Sequence, residues 1–234
     1  MTTVNGTVAS ASASLKITYD ELRREIGRFL GYSRTPGDWD STETSDVSDI
    51  IRGGLRSFYF PSEVSHRWTF LCPTVTLAIS AGTRAYNLPA DFIQMASPVT
   101  YSANDKKGIL SQVDPEELRA CESSASLSDT PRYFAVQARS QSSDAYEILM
   151  YPTPNEALTL KYSYEQLPAD IGSSNQYHLG SAAHSELLLA SCLMIADKMI
   201  NKESLDPSGG LYMARYASLL KSSIDIDNKL LSAA

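Results

Sequence analysis

The alternation of hydrophobic and polar positions predicts a strand-rich middle of the chain. At residues 74–79 apolar side chains occupy every second position, which is the period of a strand with one buried face. The Ser, Ala, Gly and Thr at residues 80–83 can turn the chain, and Tyr86 and Leu88 resume the alternation until Pro89. We therefore predict a β-hairpin here.

Helical periodicity precedes this hairpin. Thr18 and Glu21 have the spacing of a capping box at a helix start, and Gly31 lies where the apolar stripe of that helix ends. A second amphipathic segment covers about residues 46–60 and stops before Pro61, a residue that a helix interior does not tolerate. The N-terminal part of the chain is therefore predicted to be helical.

More short segments with strand periodicity follow the hairpin. They lie at residues 97–102, 109–113, 132–138, 145–151 and 158–164. Asp114 and Pro115 have the residue types of a helix start, and this short helix is expected to end near Cys121. Five or six antiparallel strands with one solvated face indicate a small sandwich or an open barrel.

After Pro168 the periodicity is helical again. Residues 182–201 are apolar on more than one face, so this helix needs contacts on two sides and is expected at the centre of a helical domain. Asp206 and Pro207 are predicted to start a last helix. Its predicted apolar stripe consists of Leu211, Tyr212, Tyr216, Leu219, Ile226 and Leu230. The charged residues that make its last two turns amphipathic are Asp225, Asp227 and Lys229.

Together these patterns predict an α+β fold. A helical bundle is expected from the N-terminal and C-terminal segments, with an antiparallel β-sandwich or barrel-like domain inserted between them. The predicted domains are an extended arm at residues 1–16, a helical domain at 17–66 and 180–234, and the β domain at 67–179.

Composition and charge limit the partners of the protein. The 234 residues carry a net charge of −7, whereas a protein that wraps nucleic acid needs clustered cations. An acidic surface suits a protein that DNA slides past, although it commonly serves solubility alone. The three cysteines form neither a metal-ligand spacing nor a disulfide framework, which indicates a reducing compartment. No apolar run approaches the roughly 20 residues of a membrane span, so assembly in the cytoplasm is expected.

Catalytic and cofactor-binding motifs are missing from the sequence. It holds no nucleophile elbow, phosphate loop, dinucleotide fingerprint or His-Glu-x-x-His motif. His66, His178 and His184 are scattered, and each is expected to be packed or solvent-facing rather than a catalytic base or a ligand. We therefore predict no catalytic residue, no metal site and no cofactor, and the protein is not expected to be an enzyme.

An ordered set of short motifs runs through the chain. They are Trp68 with Phe70 and Leu71; Gly82, Thr83, Tyr86, Leu88, Pro89 and Phe92; Pro131, Tyr133 and Phe134; Tyr151, Pro152 and Pro154; Tyr162, Tyr164 and Pro168; and His184 with Leu187 and Leu188. Their order between two helical ends resembles the head-to-tail adaptor proteins of tailed bacteriophages, among them the tail tubular adaptors of short-tailed phages. The resemblance covers about residues 17–230 and departs from the family pattern at Asp129, where a glycine is expected.

The resemblance implies a structural role in the virion neck. Adaptors of this family form a ring, commonly of twelve copies, below the portal of the capsid. They receive tail and nozzle proteins on the other side, let double-stranded DNA pass without a specific site, and are not enzymes. Their C-terminal segment commonly reaches the portal, which implies docking there by Ile224, Ile226, Leu230 and Leu231. The alternative is that these residues close the protomer's own helical bundle.

Two further contact regions are predicted from the residues. The uncharged, low-complexity residues 1–14 cannot bury enough apolar area to order themselves. They are expected to lie against a neighbouring subunit or a tail protein, unless the arm lies on its own domain. The contact residues expected in the arm are Thr2, Val4 and Val8. Lys106 and Lys107, at the tip of a turn, form the second candidate contact, although turn lysines commonly serve solubility only.

A second class of function stays open from the residues alone. The 13 tyrosines, many of them in predicted strands, also suit a cytoplasmic β module that binds carbohydrate or peptide. A binding module is expected to be small and to bind a ligand. An adaptor is expected to form a ring and to be encoded beside portal and tail genes, so the neighbouring genes distinguish the two classes.

Overall fold

A computed structural model describes residues 15–103, 105, 107–124, 127–139, 145–200 and 210–232. These ranges contain five α-helices: α1 (Tyr19–Leu30), α2 (Ser41–Tyr59), α3 (Pro115–Ser124), α4 (Ser185–Ile200) and α5 (Gly210–Ser232). They also contain eight strands: β1 (Thr74–Ile79), β2 (Ala85–Asn87), β3 (Phe92–Met95), β4 (Val99–Tyr101), β5 (Ile109–Gln112), β6 (Tyr133–Ala138), β7 (Tyr146–Tyr151) and β8 (Leu158–Gln166). The predicted α+β class is therefore confirmed.

The chain divides into two compact units. The first unit contains the residues up to Phe70 together with those from Ala169 onward, and the second consists of Leu71–Pro168. Four of the helices, α1, α2, α4 and α5, belong to the first unit. All eight strands and α3 belong to the second.

Capping side chains fix the starts of α1 and α2. The Thr18 amide donates to Glu21 Oε2, and the Glu21 amide donates to Thr18 Oγ1, so the predicted capping box is confirmed. α2 begins at Ser41, earlier than predicted, because Asp40 and Glu43 form a second capping box. The first turns of α2 are polar and carry no apolar periodicity, which is why the sequence pattern missed them.

In the first unit, α4 packs against α1, α2 and α5. The side chains that it buries include Leu187, Leu188, Cys192 and Met194. Gly54 of α2 allows a close approach of the two helices, since a Cβ atom at this position would lie 2.4 Å from Cys192 Sγ. The three neighbouring helices account for the apolar character of α4 on more than one face.

The strands of the second unit form a nearly closed, barrel-like sheet. The strand order is β1-β8-β4-β5-β6-β7-β2, and β3 also pairs with β8. β5 and β6 run in parallel, while the other pairs are antiparallel. The predicted barrel-like architecture is therefore confirmed. The sheet has eight strands rather than five or six, and the prediction that all of them are antiparallel is wrong for β5 and β6. α3 is the reason, because it connects β5 to β6 and packs on β6 and β7, and a crossover lets successive strands run in parallel.

The predicted hairpin of β1 and β2 is also wrong. β1 pairs with β8 and β2 pairs with β7, although the turn between them is present, with Gly82 at a φ of +76°. The Tyr86 hydroxyl accepts from the Ser80 amide and donates to the Ser80 carbonyl. The Tyr86 side chain thus takes the backbone groups with which a ladder between β1 and β2 would begin. These two strands lie at the two ends of the strand order.

The inner face of the sheet encloses the core of the second unit. The buried core residues are Ile79, Leu88, Phe92, Val99, Tyr101, Leu110, Phe134, Ile148, Met150, Leu158, Leu160, Tyr162 and Tyr164. Val75 and Leu77 pack against this core and are partly buried, whereas Thr74 and Thr76 are exposed. The predicted alternation along β1 is therefore confirmed.

Candidate functional site

The candidate portal-docking segment lies on α5. The structure describes this helix from Gly210, so the predicted start at Asp206 and Pro207 lies outside the described residues. The side chains that α5 buries are Tyr216, Leu220, Ser223 and Asp227. Their spacing of four, three and four residues places them on one face of the helix, and α5 packs against α4 in the first unit.

This buried face differs from the predicted apolar stripe. Leu211 and Ile226 belong to that stripe, yet they are 78% and 36% exposed. Asp227, one of the charged residues of the predicted amphipathic end, is 0% exposed. The stripe prediction is therefore wrong at these positions. Beside Ile226 the reason is that hydrogen-bond donors in the first unit satisfy the Asp227 carboxylate, which is buried in place of an apolar side chain.

Asp227 accepts hydrogen bonds from two residues of the segment that follows α2. The Thr69 amide and His66 Nε2 each donate to Asp227 Oδ2 at 3.0 Å, and the Thr69 hydroxyl donates to Asp227 Oδ1. A buried carboxylate is costly unless such donors satisfy it. The three bonds therefore anchor the C-terminal half of α5 to the segment between α2 and β1.

The predicted docking residues lie around this anchor. Ile224 is half-buried and Ile226 is partly exposed. Leu230 and Leu231 lie in the last turn of α5, and only their backbone is described. Helical spacing puts Leu230 one turn beyond Ile226 on the same side of the helix. Portal docking by these residues stays a prediction.

Among the other predicted contact residues, the structure describes Lys107. Its Nζ donates to Thr130 Oγ1 at 3.0 Å and pairs with the Glu156 carboxylate. The charge of Lys107 is thus partly neutralised by contacts within the second unit. These contacts favour a role of Lys107 in holding its own turn, and contact with a partner stays a prediction. The predicted contact residues outside the described ranges are Thr2, Val4, Val8 and Lys106.

The sequence did not reveal an aromatic cluster that gathers all three histidines. Trp68 is 0% exposed, and its ring centroid lies 4.7 Å from that of His66 and 5.4 Å from that of His184. Phe58 stacks on Trp68 and meets His178 edge to face. The histidines come together through contacts between residues far apart in the chain, and they pack within the core of the first unit.

The hydrogen bonds of His178 hold a neutral imidazole. Its Nδ1 donates to the Leu179 carbonyl at 2.6 Å, and its Nε2 accepts from Ser185 Oγ at 3.2 Å. Burial lowers the pKa of His178 to about 4 and also lowers the pKa of His184, because the charged form loses its hydration. Within this cluster, burial thus favours the neutral rings of His178 and His184.

The described part of the chain holds neither a metal-binding cluster nor a helix that could span a membrane. Within it, no three His, Cys, Asp or Glu side chains lie close enough to hold a metal ion. None of the described helices is long and apolar enough to cross a membrane.

Comparison with known protein families gives the class of the protein. Residues 17–232 match the SU10 adaptor protein family, and this range includes all the helices and strands described above. The chain therefore belongs to the SU10 adaptor protein family, a family of phage head–tail adaptors. The resemblance found in the sequence is confirmed, and the role of the protein is that of a phage adaptor. A comparison with curated proteins gave no match.

Proposed function

We propose that the protein forms a ring in the neck of the virion, where it joins the portal of the capsid to the tail. The ring consists of twelve copies, receives tail and nozzle proteins opposite the portal, and lets double-stranded DNA pass without a specific site. Membership in a family of head–tail adaptors supports this function and favours it over a carbohydrate- or peptide-binding module. The role is structural and includes no catalysed reaction.

The end of α5 is the proposed portal-docking surface, and the exposure of Ile226 carries this proposal. Ile226 is 36% exposed directly beside the buried Asp227, so the anchor holds an apolar side chain at a fixed place on the surface. Burying Ile226 and Leu230 against a partner would contribute about 1.5–3 kcal/mol each. Each copy in a ring adds to the avidity, so a small apolar surface suffices for attachment.

The proposed architecture places the docking helix in a helical bundle. α1 and α2 come from residues 17–66 and α4 and α5 from residues 180–234, with residues 67–179 inserted as the β domain. The packing of α4 against the other three helices supports the bundle. The division of the chain at Phe70 and Ala169 supports the insertion.

A pair of matched substitutions on α5 tests the docking surface. Ile226→Glu places a charge at the proposed contact, and we expect heads purified from infected cells to lose the adaptor. Leu211→Glu makes the same chemical change at a more exposed position of the same helix, and we expect heads to retain that variant. Both purified proteins should melt within a few degrees of the parent. Heads that retain the Ile226→Glu variant at the parental level would refute docking by this surface.

A further inference from the structure

The outer side of β1 is an open strand edge. β1 stands at one end of the strand order and pairs with β8, and no strand of the described residues lies against its other side. Its register with β8 is continuous from Thr74 to Ile79 and contains no bulge. The strand also contains no proline and no charged residue. Bulges, prolines and charges are the usual means of blunting an edge, so this edge can accept another strand.

The hydrogen-bond pattern shows which backbone groups face this edge. The Tyr164 amide donates to the Pro73 carbonyl. Because hydrogen-bonded pairs alternate along an antiparallel ladder, the odd-numbered residues of β1 bond to β8. The residues whose N–H and C=O groups point to the open edge are Thr74, Thr76 and Ala78, and all three are exposed. The next residue of this series is Ser80, whose N–H and C=O groups are both bonded to the Tyr86 hydroxyl. The open edge is therefore limited to three residues.

Residues 2–9 have a pattern that matches this edge. In an extended chain Val4 and Val8 lie on one face, and Asn5 and Thr7 lie on the other. β1 has a similar division, with apolar side chains toward the core and the small side chains of Thr74, Thr76 and Ala78 outward. Pairing would bring the two valines over the core and leave the polar side chains in water. Neither segment carries a charge, so pairing buries no unpaired charge.

We propose that residues 2–9 of one copy add as a strand to the open edge of β1 in a neighbouring copy of the ring. This inference rests on the proposed ring, because the occupant is a second copy of the chain. Residues 10–14 are small alanines and serines that can span up to about 17 Å, and Leu15, where the described chain begins, is 83% exposed. Backbone hydrogen bonds supply the attachment, and the two valines set the register.

Disulfide cross-linking in assembled virions tests this strand addition. Asn5→Cys is combined in turn with Thr74→Cys, Thr76→Cys and Ala78→Cys. Registers that keep the two valines on the core side differ from one another by steps of two residues, so each of them places position 5 opposite one of these three residues. After mild oxidation, one double variant should give a ladder of adaptor multimers on a non-reducing gel, and reductant should collapse the ladder. The single variant Asn5→Cys measures any background from the native cysteines.

A matched control uses the neighbouring strand. Lys161 of β8 is exposed on the same face as Thr76 and pairs with it directly, but both edges of β8 at this position are occupied, by β1 and β4. An added strand would lie two strand spacings, about 10 Å, from Lys161, too far for a disulfide. The pair Asn5→Cys with Lys161→Cys should therefore give no ladder.

The other outcomes overturn the inference in distinguishable ways. A disulfide within one chain would show that the arm folds onto its own protomer. An adduct with a different virion protein would show that a tail or portal protein occupies the edge. If none of the three pairs cross-links although necks contain the ring, strand addition is wrong and the ring stands. If necks contain no ring of this protein, the proposed function fails together with the inference.

Discussion

His66 and Asp227 are separated by 161 residues in the sequence, yet His66 Nε2 lies 3.0 Å from Asp227 Oδ2. Together with the bonds from Thr69, this contact fixes α5, the helix that carries the proposed docking surface, to the segment that follows α2. The proposed function therefore depends on a buried polar contact, and removing it should affect folding before it affects docking.

The Asp227 carboxylate is expected to be essential for the stability of the first unit. Asp227→Ala leaves the Thr69 amide and hydroxyl and His66 Nε2 without their acceptor, which should cost about 3 kcal/mol of unfolding free energy. Asp225→Ala removes an exposed carboxylate two residues away and should change stability by less than about 0.5 kcal/mol. Urea unfolding of both variants checks this prediction, and equal effects would show that the buried contact is not stabilising.

Close packing of α2 against α4 should make Gly54 sensitive to substitution. In Gly54→Ala the new Cβ would lie 2.4 Å from Cys192 Sγ and 2.9 Å from Cys192 Cα, so the helices must separate at a cost of about 1–3 kcal/mol. Gly37→Ala meets no atom within 4 Å and serves as the control. Thermal melting should show a lower midpoint for Gly54→Ala alone, and a parental midpoint would contradict the observed packing.

The stability of the protein should fall as the pH drops from about 6.5 towards 4. The unfolded chain protonates His178 near its ordinary pKa of 6.5, whereas burial lowers the pKa in the folded state to about 4. The unfolded state therefore binds more protons in this window, and the full loss amounts to about 3 kcal/mol. The lowered pKa of His184 acts in the same direction.

The variant His178→Gln isolates this contribution. Glutamine does not titrate, so the variant should lose less stability than the parent between about pH 7 and pH 4.5. Carboxylates titrate in both proteins, and their effect cancels in the comparison. Urea unfolding at the two pH values gives the difference directly. An equal loss in parent and variant would mean that His178 is not the group that titrates.

The free protein is not expected to bind duplex DNA tightly. Its net charge of −7 offers no excess of cations to displace the counterions of the phosphates. Fluorescence anisotropy with a labelled duplex at physiological salt should show no submicromolar binding. Submicromolar affinity for a defined sequence would contradict passage of DNA without a specific site.

The helix starts were predictable because their determinants are local. The capping box of Thr18 and Glu21 lies within one turn and can be read from four residues. The start of α2 was readable in the same way from Asp40 and Glu43, but apolar periodicity, the signal on which the prediction relied, begins later.

The pairing of the strands was not predictable from local sequence. The turn at Gly82 is real, but β1 finds its partner in β8, at Leu158–Gln166. Alternation reports that one face of a strand is buried and does not report which strand lies beside it. The parallel pairing of β5 and β6 was predictable from the sequence, because the short helix starting at Pro115 lies between the two strands and can serve as their crossover connection.

The structure at the end of α5, where docking is proposed, was predictable in part. Helical periodicity located α5 and its last turns, and Ile226 is partly exposed as a contact residue requires. The burial of Asp227 was not predictable, because its partners His66 and Thr69 lie far away in the sequence. From sequence alone a charged residue predicts solvent exposure, because burying a charge requires hydrogen-bond donors or opposite charges beside it. Only the fold brings such partners to Asp227.

Native mass spectrometry of necks released from purified virions tests the central claim most directly. The account predicts a closed assembly of twelve adaptor chains that stays associated with the portal after gentle dissociation of the tail. Closed rings arise when a head-to-tail interface returns on itself, so intermediate stoichiometries should be rare. Necks that contain the adaptor only as monomers or dimers would contradict the proposed ring.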